Sequence, residues 1–202
     1  ILVVEPYNPL LDIKACELDI FRKASYIYTT PVELKNIRNY MEFVDDMKSH
    51  HVKLAFDIEA STVDACDKEL IYKGDVLFFN EFGFEKIKGN RGEEEAFSEM
   101  FENGVEIATI TLGEKGSFTA TKNETFRTPA VKQQVVDTTG AGDTFCASIL
   151  NYILEHGLNS LTEEQLKEML TFANAAASLI TTRKGALRVM PSKKEVEDSM
   201  RS

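Results

Sequence analysis

Two near-continuous apolar runs, residues 52–57 and 75–79, constrain the fold most, because segments with helical spacing separate them. Strands that are apolar on both faces are typical of parallel sheets covered by helices on both sides. Before these runs, the sequence predicts a helix over residues 17–24, a strand over 26–29 and a long helix over 31–50 that opens on a proline. We therefore expect an α/β fold, namely a three-layer α/β/α sandwich with a mostly parallel central sheet.

The second half of the chain is predicted to be richer in hairpins. We expect a helix over residues 93–103 ended by Gly104, followed by three closely spaced strands over 107–111, 117–121 and 124–127. Capping-box patterns at Thr162 and Ser192 each predict the start of a helix. With 202 residues, 43% of them hydrophobic, the chain can bury a sizeable core, and we expect one domain over residues 1–202.

The glycine-rich stretch Asp137-Thr138-Thr139-Gly140-Ala141-Gly142-Asp143 carries the clearest chemical signal. It lies between a β-like run at residues 131–136 and an apolar segment with helical spacing that ends at Gly157. Small residues there allow a ligand to approach the backbone, and the start of the helix attracts an anion. A carboxylate beside that anion, at Asp143, suggests a base that accepts a proton from a hydroxyl. The simpler alternative is an ordinary first-turn aspartate after a glycine turn.

Composition argues against several other functions. Acidic residues outnumber basic ones by 33 to 23, which argues against nucleic acid or an anionic membrane as the main partner. The three scattered cysteines, Cys16, Cys66 and Cys146, are typical of reduced thiols in a cytosolic protein, and no signal peptide or membrane-length apolar run is visible. We therefore expect a cytoplasmic protein.

The chain resembles the ribokinase-like (PfkB) carbohydrate kinases over essentially its whole length. The resemblance implies ATP as phosphoryl donor, a small sugar as acceptor, and Mg²⁺. We also expect that the protein can form a homodimer. Four sequence pieces carry it in the family's order: Asn80-Glu81, Thr111-Leu112-Gly113-Glu114-Lys115-Gly116, the stretch from Asp137 to Phe145, and Phe172-Ala173-Asn174-Ala175-Ala176-Ala177 with Thr182-Arg183-Lys184-Gly185-Ala186.

By this resemblance, Asp143 is the catalytic base, and the backbone of Gly140, Ala141 and Gly142 stabilises the transferred phosphate. The nucleotide would be bound by Asn80, Thr111, Gly113, Gly116 and Asn174. Two of these assignments have plain structural alternatives. The Thr111 loop could be a simple hairpin bend, and close helix packing alone could explain the alanines around Asn174.

The resemblance also implies a monovalent cation, usually potassium, near the glycine loop. Its ligands would be the Asp137 carboxylate and the main-chain carbonyls of Thr139, Thr181, Lys184 and Ala186, although Asp137 could equally cap the loop.

The magnesium assignment is weaker, because the family's Asn-x-x-Glu motif reads Asn80-Glu81-Phe82-Gly83 in this chain. Either Glu81 or Glu85 substitutes for the missing carboxylate, or ATP phosphates and water hold the ion.

The chain opens on the apolar run Ile1-Leu2-Val3-Val4 without a methionine. We expect that an N-terminal portion with most sugar contacts and a β lid is missing, so this segment alone would not phosphorylate sugars. Two alternatives to a sugar kinase remain: a nucleoside kinase of the same fold and a noncatalytic nucleotide-binding regulatory protein. ATP hydrolysis or sugar phosphorylation would separate the catalytic readings from the noncatalytic one.

Overall fold

The computed structural model describes residues 10–158 and 161–201, and the predicted strand at residues 1–4 lies outside them. The chain divides into two compact units, the first ending at Ala108 and the second beginning at Thr109. The expectation of one domain stays a prediction, and each unit is described by itself.

The first unit alternates strands and helices, as the apolar runs predict. Strand β2 (Lys53–Ile58) pairs in parallel with β1 (Tyr26–Thr29) and with β3 (Val76–Asn80). The register of β2 with β3 runs from Ala55 opposite Val76 to Ile58 opposite Phe79. The side chains of β2 and β3 are mostly buried, because helices cover both faces of a parallel sheet. The elements of the first unit that precede its last strand are α1 (Ala15–Phe21), β1 (Tyr26–Thr29), α2 (Pro31–Leu34), α3 (Tyr40–Ser49), β2 (Lys53–Ile58), α4 (Ala60–Ala65), α5 (Lys68–Ile71), β3 (Val76–Asn80), α6 (Glu81–Lys88) and α7 (Glu93–Glu102).

The prediction of one long helix over residues 31–50 is wrong, because the segment is broken between α2 and α3. The backbone N–H of Leu11 donates to the Asn36 carbonyl at 2.7 Å, and Arg38 donates back to the Leu11 carbonyl at 2.9 Å. Asn39 then takes a left-handed conformation with φ of +60° before α3 begins. Pairing with a residue far earlier in the chain therefore replaces the helical hydrogen bonds at this point.

The second unit holds a hairpin and the longest helices of the described chain. β5 and β6 pair antiparallel, with Ser117 opposite Thr128. Hydroxyl caps at Thr162 and Ser192 start α9 and α10, as the capping boxes predict. The division between the units falls within β4 (Ile107–Thr111). The later elements of the second unit are β5 (Ser117–Thr121), β6 (Thr125–Thr128), α8 (Ala141–His156), α9 (Glu163–Ile180) and α10 (Lys193–Met200).

Within the described residues, six strands form a sheet in the order β1-β2-β3-β4-β5-β6. The parallel pairs come first and the antiparallel hairpin lies at the end of this order. The predicted α/β class, with a mostly parallel sheet flanked by helices, is therefore confirmed.

The β-like run at residues 131–136 is not a strand. Val135 and Val136 are exposed, and the N–H of Val136 donates to the Thr181 carbonyl at 2.8 Å. The N–H of Val131 donates to the Ser178 hydroxyl at 3.1 Å. These backbone groups are therefore bonded to the C-terminal part of α9, and the high β propensity of valine does not decide the local structure.

Candidate active site

The turn before α8 is built on Gly140, the N-cap residue of that helix, with a φ of +81°. The Ala141 N–H donates to the Thr138 carbonyl at 3.2 Å, which closes the turn. The Gly140 carbonyl accepts from the backbone N–H and the hydroxyl of Thr144, at 2.9 and 2.8 Å. A Cβ at position 140 would lie 3.1 Å from the Ala186 Cβ, so both the backbone conformation and close packing favour glycine.

Gly142 lies in open space at the start of the same helix. A Cβ added there would meet no heavy atom within 4 Å in the described part of the chain, apart from its own helix backbone and chain neighbours. The first N–H groups of a helix have no partner within the helix, and the helix dipole places partial positive charge beside them. Gly142 therefore leaves a path along which an anion can reach this end of α8.

Asp143 is the acidic residue in the first turn of α8, one position after Gly142. Its side chain is exposed, whereas the next three residues, Thr144, Phe145 and Cys146, are buried and anchor the helix. The carboxylate of Asp143 is therefore exposed at the start of α8, next to Gly142.

Asp137 links two separate segments through its carboxylate. Oδ1 accepts the Thr139 N–H at 2.9 Å, and Oδ2 accepts the Gly185 N–H at 3.0 Å. The backbone hydrogen bond from Thr139, helped by the Thr139 side chain and the Gly185 N–H, holds the pKa of Asp137 below its ordinary value. The sequence did not indicate this role of Gly185, although Gly185 lies within the motif Thr182-Arg183-Lys184-Gly185-Ala186.

The structure brings Asp137, Thr139 and Thr181 together, but the proposed cation ligands differ in availability. The Thr181 carbonyl already accepts the N–H groups of Val136 and Asp137, at 2.8 and 3.1 Å. The Ala186 carbonyl accepts the Val189 N–H at 3.1 Å. A carbonyl oxygen offers two acceptor positions, so a cation at Thr181 requires at least one existing bond to open. Over the described ranges, no group of three or more His, Cys, Asp and Glu side chains is arranged to hold a metal.

The predicted nucleotide loop follows β4 as a 3-10 turn over Gly113–Lys115. Gly113 has a φ of +58° and open space around it, as a ligand-facing position would need. Gly116 instead has a packing role, because a Cβ there would lie 2.0 Å from the Thr128 carbonyl oxygen. The loop therefore combines a hairpin bend at Gly116 with an accessible position at Gly113.

Asn174 is buried within α9. Its amide nitrogen donates to the Ser117 hydroxyl and to the Leu170 carbonyl, both at 2.8 Å. The bond to Ser117 fastens α9 to β5, and the bond to Leu170 lies within α9, so the structure gives Asn174 a packing role whatever its part in nucleotide binding.

Asn80 lies in the first unit at the junction of β3 and α6. Its Oδ1 accepts the Gly83 N–H at 2.7 Å, which caps α6. A Cβ at Gly83 would lie only 2.5 Å from the Ile58 carbonyl oxygen, so the fourth position of this motif has no room for a side chain. Of the two substitutes considered for the missing carboxylate, Glu81 is exposed and Glu85 pairs with Lys88 at 2.8 Å.

The fold is α/β, and a glycine turn, a helix start and an adjoining aspartate lie together at the beginning of α8. The pfkB family carbohydrate kinase model matches residues 11–193, so the chain belongs to this family. The chain is 34% identical over 125 residues to the protein named probable fructokinase-2 of Arabidopsis thaliana, covering 59% of this chain and 36% of that relative.

Two solved ribokinases show the same fold. The ribokinase of Arabidopsis thaliana complexed with ribose and ATP is 28% identical, with a TM-score of 0.71, and the match covers 94% of this chain and 60% of that one. The ribokinase of Thermotoga maritima is 25% identical, also with a TM-score of 0.71, and the match covers 92% and 60%. The chain thus spans about a third of the fructokinase relative and less than two thirds of either ribokinase.

The described part of the chain contains no helix that is both long and apolar enough to cross a membrane.

Proposed function

We propose that the protein transfers the γ-phosphoryl group of ATP to a hydroxyl of a small sugar, with Asp143 as the general base. One observation carries this proposal: the exposed Asp143 carboxylate directly follows Gly142, whose surroundings leave the start of α8 open to an anion. A simple turn does not require open space at Gly142. The family match and the ribose and ATP named with the Arabidopsis ribokinase support sugar and ATP as ligands.

In the proposed reaction, Asp143 accepts the proton of the attacking hydroxyl as the sugar oxygen bonds to the γ-phosphorus. The bond from that phosphorus to its bridging oxygen breaks, and ADP leaves with the electron pair. The backbone of Gly140, Ala141 and Gly142 faces the charge that develops on the phosphoryl oxygens. Removing a positioned base of this kind typically lowers the rate by about 10²- to 10⁴-fold.

The other nucleotide contacts belong to the same proposal. Thr111 and Gly113 would face the nucleotide, while Gly116, Asn174 and Asn80 would act mainly by shaping the surrounding backbone, given their packing and capping bonds. Magnesium, when bound with ATP, neutralises phosphate charge and keeps much of its hydration shell. Gly83 has no side chain that could bind the magnesium ion, so in this proposal ATP phosphates and water are the main ligands of the ion.

A potassium ion would use the oxygens available at the loop. We infer that these are Asp137 and the carbonyls of Thr139 and Lys184, which are oxygen ligands of the kind hard cations prefer. The Thr181 carbonyl would join only if one of its two hydrogen bonds opened, whereas the Ala186 carbonyl has a second acceptor position beside its bond to Val189.

The acceptor is proposed to be a ribose- or fructose-like sugar. Full-length protein is incubated with Mg²⁺ and ATP and with fructose, ribose, other small sugars, or nucleosides, and ADP and the phosphorylated product are both quantified. We expect one sugar to yield equal amounts of ADP and sugar phosphate. Phosphorylation of a nucleoside alone would favour the nucleoside kinase, and ATP binding without any transfer would favour the noncatalytic regulatory protein.

A further inference from the structure

Three hydrogen bonds join the start of the glycine loop to the segment that begins at Thr181, and a fourth lies within the loop. Asp137 accepts the N–H groups of Thr139 and Gly185 on its two carboxylate oxygens, at 2.9 and 3.0 Å. In the opposite direction, the Thr181 carbonyl accepts the N–H groups of Val136 and Asp137, at 2.8 and 3.1 Å. Asp137 therefore both donates to and accepts from a segment more than 40 residues later in the chain.

Side-chain packing contributes little to the position of this loop. Val136, Thr138 and Thr139 are all exposed, so they bury little apolar surface. The close approach is instead made by Gly140 against Ala186, the residue after the Gly185 N–H that Asp137 binds. The approach of Gly140 to Ala186 thus adjoins, along the chain, the bond between Asp137 and Gly185.

We propose that Asp137 is a positioning residue that clamps the glycine loop to the turn at Gly185, and that it does so through protein hydrogen bonds whether or not a cation is bound. The inference rests on the proposed function, since the clamp sets where Gly140 and Asp143 meet the phosphate. It differs from a role as cation ligand because the bonds to the Thr139 and Gly185 N–H groups need no ion, although each carboxylate oxygen keeps an acceptor position that an ion could use.

Asp137→Asn separates the two roles with little change in shape. The side chain keeps one acceptor oxygen, which can face either the Thr139 N–H or the Gly185 N–H, and the new amide nitrogen cannot accept the other. The amide N–H of the new asparagine then faces a backbone N–H, so that two hydrogen-bond donors oppose each other. Glu17→Gln is the matched control, because the Glu17 carboxylate also accepts a backbone N–H, from Lys14 at 2.8 Å, in the other unit of the chain.

The experiment measures kcat, KM for ATP and amide hydrogen exchange at Thr139 and Gly185, using full-length protein. Each is recorded in potassium buffer and in a bulky organic cation at equal ionic strength. We expect Asp137→Asn to lower kcat by about tenfold or more in both buffers, to speed exchange at Thr139 or at Gly185, and to leave the unfolding midpoint near that of Glu17→Gln.

Two results would overturn the proposal. Asp137→Asn matching the wild type in the organic cation would mean that Asp137 acts only through a bound ion. Unchanged exchange at both Thr139 and Gly185 would mean that no clamp exists. Exchange is read without substrate, so a protein that phosphorylates no sugar would count against the proposed function while the clamp is still judged by its own measurement.

Discussion

Gly142→Ala is expected to leave the fold intact or to stabilise it while damaging ligand binding. The added methyl group meets no heavy atom within 4 Å in the described structure, outside its own helix, so no clash opposes it. Alanine is also a better helix former than glycine, by up to about 1 kcal/mol. On the ligand side, the same methyl group would fill the path to the start of α8. A tenfold loss of affinity corresponds to about 1.4 kcal/mol.

Gly140→Ala is the matched comparison, because it lies in the same turn with the opposite structural requirement. Its φ of +81° is unfavourable for alanine by roughly 1–2 kcal/mol, and its Cβ would press on Ala186 at 3.1 Å. We therefore expect Gly140→Ala to lower both stability and activity. Gly142→Ala should lower activity alone.

Urea unfolding and ATP titration calorimetry on the two variants and the wild type decide between these expectations. The reasoning predicts at least about tenfold weaker ATP binding or lower kcat/KM for Gly142→Ala, with an unfolding free energy equal to or above that of the wild type. Wild-type affinity and turnover in Gly142→Ala would refute it, since the glycine would then serve only the turn.

Gly83→Ala should lower the unfolding free energy by about 1–3 kcal/mol, because its Cβ would lie 2.5 Å from the Ile58 carbonyl oxygen; an unchanged urea midpoint would contradict this. Burial raises the pKa of Glu99, but hydrogen bonds led by Arg91 and Tyr72 outweigh it and lower the pKa from 4.5 to about 2. The stability that this ionised carboxylate contributes is complete above pH 4.5 and is lost as the pH falls toward 2. Because the Glu99 side chain is about a third exposed, we expect it to contribute only about 1–2 kcal/mol to the unfolding free energy. The unfolding free energy of Glu99→Gln, measured in urea, should therefore change less with pH than that of the wild type. Equal pH dependence in the two proteins would contradict this.

Elements with strong local signals could be predicted from the sequence. The strand at Tyr26–Thr29 and the one at Ile107–Thr111 have the predicted bounds, because alternating or continuous β-branched residues end at clear turns. The C-terminal end of α8 at Gly157 and the helix caps at Thr162 and Ser192 depend only on neighbouring residues. Local sequence patterns therefore suffice to predict them.

Features set by distant partners could not be predicted. The break before Asn39 depends on pairing with Leu11, and the run ending at Val136 depends on Thr181. In the candidate site, the motif indicates Asp137 as important, but its bond to Gly185 links positions 48 residues apart. Similarly, only the fold shows that the Ile58 carbonyl leaves no room for a side chain at position 83.

The most direct test of the account compares Asp143→Asn with Glu164→Gln, a matched change in the first turn of α9. Both remove one exposed carboxylate near a helix start, so their small effects on stability should be similar. In full-length protein, we expect Asp143→Asn to bind ATP and unfold like the wild type but to phosphorylate its sugar at least about a hundredfold more slowly, while Glu164→Gln stays fully active. A folded Asp143→Asn protein with near-normal turnover would contradict the role of Asp143 as the base.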